Sequence, residues 1–445
     1  MTSAGLTRGF AALRVRNYRL YWSGQILSQV GTWMQQVSLP WLVLALGGSP
    51  LQLGIVAALR FLPATVLAPF GGVFVDRIDK QRALIATQIA LMVVDGILFG
   101  LTVAGVVQIP MVMALAFGLG LVNAIDMPLR QSLAADLVPR NILANAIALN
   151  SMAFNGARVV GPAVAGVIIA LGTALLGGAT SGVAINLGVN TISYLAVVVN
   201  LARMDPAQIR RAPRPEQHPP VLLSLKEGVA YAARTPIVLW ALVLLAGVAS
   251  FGFNFQILLP LFSKDVLHLG AEGYGALYAA MGVGSLAGAM TLAFMQNRSA
   301  LRLILGGGLA FGVLEIGLGL TRVVWLAFPL ILLVGYFSML MINTINAMVQ
   351  ANVSDQLRGR VMALYVTVFA GSAPVGGLFA GIVAEKWGTP PAFVIGALLS
   401  LATVGLVAWR LRAARTAGKL GTTIIDSGVR VPEQPDPSAV QRLER

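Results

Sequence analysis

The chain has 445 residues, 57% of them hydrophobic and 11% charged, with a mean hydropathy of +0.81, and no ordinary soluble domain carries that composition. Its net charge of +14 would suit a nucleic-acid binder, but the Lys and Arg residues fall between long apolar runs instead of forming one basic surface. Cysteine is absent, which excludes disulfides, thiolate metal sites and thiol nucleophiles.

Residues 1–20 carry Arg8, Arg14, Arg16 and Arg19 between Leu6, Phe10 and Leu13, and read as a basic amphipathic segment on a membrane surface. Twelve apolar stretches follow, each long enough to cross about 30 Å of hydrocarbon as a helix. They are 21–46, 51–75, 83–105, 109–132, 142–170, 180–202, 236–262, 272–296, 303–321, 324–349, 360–385 and 390–411. The expected fold class is an all-α membrane protein. It has a six-helix bundle over 21–202, a cytoplasmic linker over 203–235, a second six-helix bundle over 236–412 and a disordered cytoplasmic tail over 413–445. Within the linker, Leu222, Leu225, Val229 and Ala232 are spaced for a short surface helix. With both termini on the cytoplasmic side, 26 of the 31 Lys and Arg residues lie in inner segments and only Lys264, Arg322 and Lys386 in outer loops. That asymmetry fixes the orientation by the positive-inside rule.

The second bundle repeats the first. Gln36 to Pro40 returns as Gln256 to Pro260, Asn123 and Asp126 as Asn343 and Asn346, and Asp95 as Glu315, all at an offset of 220. Leu53-Gly54 returns as Tyr274-Gly275 and Gly161-Pro162 as Ala373-Pro374. Duplicated sets of membrane spans are the mark of secondary transporters. Pro40, Pro63, Pro69, Pro162 and Pro374 are expected to interrupt their spans and to permit kinks.

Catalytic chemistry is missing. The single Gly-Lys pair, Gly418-Lys419, lacks the rest of a phosphate loop, no serine sits in G-x-S-x-G, and His218 and His268 lie apart in loops. An enzyme, a nucleotide-driven pump, a metal and a cofactor are therefore not expected. The expected partners are a small-molecule substrate, protons and the lipid bilayer, with no nucleic acid or nucleotide; the oligomeric state is left open, a monomer being compatible with the sequence.

Polar residues inside the spans mark candidate sites. Gln25, Ser28, Gln29, Thr32, Gln35 and Gln36 recur at steps of three and four in the first span, a stripe that must face protein or water. The corresponding spans four, seven and ten offer Asn123, then Ser250, Asn254 and Gln256, then Tyr336, Asn343 and Asn346. These residues, with Arg60 and Arg158, form the candidate substrate cavity; interhelical hydrogen bonding without a substrate is the other reading. The two arginines either hold an anionic group of a substrate or pair with a carboxylate such as Asp95. Asp95 and Glu315 are candidates for proton coupling, or else carboxyls hydrogen-bonded between helices. Asp126 and Arg130, at i and i+4, are candidates for an inner latch.

The loop after the second span carries Gly72-Val73-Phe74-Val75-Asp76-Arg77-Ile78-Asp79-Lys80-Gln81-Arg82, which resembles the G-x-x-x-D-R-x-G-R-[RK] signature of the major facilitator superfamily, with Asp79 in place of the usual Gly. Arg158-Val159-Val160-Gly161-Pro162 followed by Gly166 resembles the span-five motif of exporters in that superfamily. Gly31-Thr32-Trp33-Met34-Gln35 and Asp126-Met127-Pro128-Leu129-Arg130-Gln131 are similar to its bacterial enterobactin-exporter-like and macrolide-efflux-like branch. The resemblance implies two pseudo-symmetric bundles, an inner-membrane location and proton-coupled export. It also implies a conformational-switch role for Gly72, Asp76, Arg77, Lys80 and Arg82. In the family, the aspartate at the place of Asp76 faces the start of span eleven, and basic residues at the places of Arg77 and Lys80 latch neighbouring helix ends. An importer or uniporter of the same fold, or a non-transporting receptor or assembly subunit, are the alternatives.

Overall fold

A computed structural model describes residues 10–75, 78–210, 221–295 and 299–416. Asp76, Arg77, His218, the first nine residues of the amphipathic N-terminal segment, the middle of the linker and the tail beyond Thr416 lie outside them. The first six long helices are α1 (Arg16–Ala45), α2 (Pro50–Val75), α3 (Lys80–Val103), α4 (Ile109–Asp136), α5 (Leu143–Leu176) and α6 (Ser181–Ala202). The linker contributes α7 (Val221–Arg234), the surface helix expected from its leucine spacing. The second set comprises α8 (Pro236–Phe251), α9 (Phe255–Leu261), α10 (Ala271–Phe294), α11 (Ala300–Leu320), α12 (Val324–Ala351), α13 (Asp355–Trp387) and α14 (Thr389–Thr416).

Eleven described helical segments, with α8 and α9 counted as one, are long and apolar enough to cross a membrane. The first, α1, spans 30 residues but carries the glutamine stripe, so its hydropathy falls short. It nevertheless packs between α5 and α6 like its counterpart in the second set, and completes twelve. Helix α1 also begins at Arg16, earlier than the expected 21. Ala12 is buried and donates its N–H to Asn145 Oδ1 (2.9 Å), which ties the entering chain to α5.

The two sets pack by one rule. In the first, α2 lies on α4, α3 on α4 and α6, and α1 on α5 and α6. In the second, α10 lies on α12, α11 on α12 and α14, and α8 on α13 and α14. Small residues make these contacts close. A Cβ on Gly120 would stand 2.1 Å from the carbonyl oxygen of Arg60, and one on Gly335 2.2 Å from that of Met281. With no hydrophobic drive between helices in lipid, such backbone approach supplies the dispersion that holds a bundle together.

Two expectations change here. The prolines do not interrupt their helices: α1 runs through Pro40, α2 through Pro63 and Pro69, α5 through Pro162 and α13 through Pro374. Neighbouring helices and side chains tolerate the freed carbonyls. The seventh span, expected to be continuous over 236–262, instead breaks at Gly252 and Phe253, between α8 and α9. Asn254 Nδ2 donates to the carbonyls of Ser250 (3.0 Å) and Phe251 (3.1 Å) and satisfies acceptors that the break leaves open.

Candidate functional site

The halves meet along two helix pairs, α2 with α13 and α5 with α10. At the first, a Cβ on Gly54 would lie 2.4 Å from the carbonyl oxygen of Gly377 and 3.2 Å from Gly381 Cα. At the second, a Cβ on Gly275 would lie 2.5 Å from the carbonyl oxygen of Pro162, and one on Gly166 2.8 Å from that of Ala271. These approaches cluster toward the end of the molecule that carries the 46–49 and 262–270 connections. There Leu51 N–H donates to Glu385 Oε2 (3.1 Å) and Trp41 stacks on Tyr274 at 6.0 Å. Further along, Thr65 Oγ1 donates to the Ala370 carbonyl (3.0 Å). Three residues of the span-five motif share this seam: Pro162 and Gly166 meet Gly275, and the Arg158 carbonyl meets Gly282, whereas Gly161 abuts Trp33 of α1 within the first half.

The glutamine stripe divides. Gln29, Thr32 and Gln36 are half-buried, whereas Gln25, Ser28 and Gln35 are buried inside the first set. Gln25 Oε1 accepts from Arg130, which also pairs with Asp126. Asp126 Oδ1 accepts from Thr87 Oγ1 and Gln88 Nε2, each at 2.7 Å. Gln25 therefore joins a buried polar network among α1, α3 and α4, not the cavity wall expected of it. The Asp126–Arg130 pair exists, but every member of its network belongs to the first half, so it braces that half and does not latch the two together.

Arg60, 8% exposed, does not pair with Asp95 directly. Its guanidinium donates to Gln35 Oε1 (3.2 Å), and Gln35 Nε2 donates to Asp95 Oδ1 (2.5 Å). Asn190 Nδ2 (3.0 Å) and Thr191 Oγ1 (3.2 Å) complete the Asp95 carboxylate from α6. Glu315, the repeat-mate of Asp95, is fully buried, with no hydrogen-bond partner on either oxygen among the described residues. It shares the α14-facing side of α11 with Gly312, which abuts Leu401, and Gly319, which abuts Phe393. Arg158 donates to no described residue; its Nε is enclosed and its guanidinium lies 5.6 Å from the centre of the Trp33 ring.

In the second half, Asn254 is buried and serves the helix break, so it leaves the cavity set. Ser250 and Gln256 are half-buried. Asn123 is half-buried and folds back onto the Leu119 carbonyl (2.8 Å). On α12, Tyr336, Asn343 and Asn346 share a half-buried face; Tyr336 donates to Thr291 Oγ1 (3.2 Å) and Asn346 Oδ1 accepts from Gln350 Nε2 (2.5 Å).

Of the switch motif, Gly72 lies in α2, Lys80 binds Asp136 Oδ2 (2.5 Å) at the foot of α4, and Arg82 is exposed. Asp79 caps α3 by accepting the Arg82 N–H (3.1 Å), which accounts for an aspartate where the signature has Gly. Sequence reasoning missed Trp33, Tyr274 and Tyr278 as seam residues, although Tyr274 and Tyr278 are spaced i and i+4. It also missed Asn190 and Thr191, polar residues within an apolar span. Among the described residues no cluster of three or more acidic or histidine side chains could hold a metal ion.

Residues 7–422 match the family described as transmembrane secretion effector. The staphyloferrin A transporter of Staphylococcus aureus is 26% identical over 383 residues, 85% of this chain and 92% of that protein. The multidrug efflux pump Tap of Mycolicibacterium fortuitum is 27% identical over 402 residues, 86% and 93% of the two chains. The enterobactin exporter EntS of Escherichia coli (strain SMS-3-5) is 27% identical over 413 residues, 88% and 93%. Among solved structures, the nucleoside transporter NupG superposes with a TM-score of 0.70 at 11% identity, covering 89% of this chain and 99% of that one. A bacterial homologue of the lysosomal transporter Spinster, inward-facing and occupied, gives 0.69 at 16% identity, covering 92% and 98%.

Proposed function

This chain belongs to the transmembrane secretion effector family of the major facilitator superfamily, a family of multi-pass membrane transporters, and from that premise we propose that it exports small amphiphilic molecules across a bacterial inner membrane by alternating access. The observation that carries the reading is the seam. The halves approach to backbone contact at Gly54 and Gly275, toward the end holding the 46–49 connection. The positive-inside count puts that end outside, so the described state is closed to the exterior. Glycines let two packed surfaces meet there and part again without unpacking side chains.

Export is favoured by the named roles of the siderophore and drug transporters among its relatives. The drive is a proton gradient, taken up at a buried carboxyl. Asp95, inside a network that reaches Arg60, and Glu315, without hydrogen-bond partners among the described residues, are the two candidates. Asp126 is committed to Arg130 and is the weaker one.

Everted vesicles holding the full chain, offered a panel of dyes and siderophore-like compounds, test this. Accumulation that stops when the proton gradient collapses supports proton-coupled export. Undiminished accumulation rules the coupling out, and uptake seen only in right-side-out vesicles makes the protein an importer.

A further inference from the structure

Two guanidinium groups in this region make no direct ion pair with any of the described residues. Arg60 donates to Gln35 alone, and Arg158 donates to none of them. The carboxylate that Arg60 reaches through Gln35 is already shared among Gln35, Asn190 and Thr191. Tyr278, from the opposite half, lies beside Trp33, over whose ring the Arg158 guanidinium stands at 5.6 Å. Withdrawing a guanidinium from water is costly unless an anion and hydrogen-bond acceptors answer it, and the Trp33 face returns only part of that cost.

The apolar surroundings have their own shape. Aromatic rings follow one another along the seam: Phe154 edge-on to Trp33 (5.6 Å), Trp33 beside Tyr278 (6.4 Å), Tyr278 edge-on to Tyr274 (6.0 Å), and Tyr274 against Trp41. Phe154, at the far end from the closed contacts, is 42% exposed. Flat π faces beside guanidinium groups that make no direct ion pair are complementary to a flat apolar body that carries an acid.

We propose that this is the subsite for a small amphiphile bearing a carboxylate on an aromatic or flat apolar body. The carboxylate sits between Arg60 and Arg158, and the body lies against Trp33 and Tyr278. The assignment rests on the transporter reading and narrows its substrate class. Because the arginines belong to one half and Tyr278 to the other, a bound acid touches both sides of the seam. Its arrival and departure therefore bear on whether the seam closes.

Purified full-length protein is titrated calorimetrically with 1-naphthoate and with its neutral isostere 1-naphthamide. The expected result is naphthoate binding at least about tenfold tighter, since a charged site left unpaired penalises the isostere. The preference shrinks to about twofold or less in Arg158→Gln and Arg60→Gln, while naphthamide affinity moves less. Equal binding of the two probes by the unmodified protein overturns the proposal and needs no variant to fold. A preference that survives both substitutions also overturns it. Should a neutral panel compound be pumped while naphthoate shows no preference, the exporter stands and the acid subsite falls. Should the preference hold while no compound crosses proteoliposomes, the subsite stands and the exporter falls.

Discussion

Gly54 and Gly275, 221 positions apart, make equivalent contacts on opposite sides of the seam. Each brings its helix against a backbone carbonyl of the other half, Gly377 for Gly54 and Pro162 for Gly275, where an added Cβ would intrude at 2.4 and 2.5 Å. The pairs α2–α13 and α5–α10 are thus two versions of one contact, exchanged by the internal repeat. A side chain at either glycine must push backbone against backbone. Gly54→Val and Gly275→Val are expected to disfavour the closed seam by about 1–3 kcal/mol, the usual cost of overpacking. Flux measured in vesicles then falls by roughly 5- to 150-fold at unchanged membrane abundance, each 1.4 kcal/mol being about tenfold. Unchanged flux in both variants means that the seam does not close at these glycines during transport.

Buried Asp126 pairs with half-buried Arg130, and the pair is tied to Gln25, Thr87 and Gln88. Removing one partner strands the other charge, so Arg130→Ala is expected to lose about 3–5 kcal/mol of stability. The double variant Asp126→Asn with Arg130→Gln recovers most of it. Thermal unfolding in detergent, followed by circular dichroism, reports both. Equal melting of Arg130→Ala and the parent protein contradicts the burial argument.

Asp95 and Glu315 hold matching places in the repeat but opposite surroundings, and their variants should part accordingly. Asp95→Asn sets an amide donor among the donors of Gln35, Asn190 and Thr191, costing about 1–3 kcal/mol. Glu315→Gln removes no hydrogen bond made to a described residue and is expected to cost less stability than Asp95→Asn. Where either carboxyl carries the coupled proton, its variant loses gradient-driven accumulation but keeps substrate exchange at equal concentrations. A variant that loses neither property is not the coupling group.

The Lys80–Asp136 pair joins the start of α3 to the foot of α4 and is partly exposed. Lys80→Ala is expected to cost only about 0–1 kcal/mol of stability, as exposed pairs do. A larger loss of flux than of stability in Lys80→Ala, restored by Lys80→Arg, supports a switching role for this basic position. Parallel losses mark it as a brace.

Much of this architecture is legible in the amino-acid sequence, for physical reasons. Lipid demands long apolar helices, so twelve spans stand out, and close helix contact in lipid demands small residues, so Gly54 and Gly275 surface as a repeat pair. The polar stripe of α1 is legible as a stripe. Its division is not, because Gln25 is claimed by Arg130 on α4 and Gln35 by partners on α2 and α3, at sequence distances that no local pattern encodes. The break at Gly252 is hidden for a similar reason. Its enabling residue, Asn254, resembles any polar cavity residue until its amide is seen on the Ser250 and Phe251 carbonyls. Proline misleads in the opposite sense, since tertiary packing carries the helices through each one.

The central claim is that the halves close and open reciprocally about this seam. The parent chain has no cysteine, so spin labels can be placed on Val106→Cys with Lys386→Cys at one end and on Arg82→Cys with Arg302→Cys at the other, all four being exposed positions. Double electron–electron resonance in liposomes, with and without an imposed proton gradient and substrate, is the most direct measurement. The account predicts a second population in which the 106–386 distance lengthens while the 82–302 distance shortens. Fixed distances at both ends during sustained transport, or both distances changing in the same direction, would contradict it.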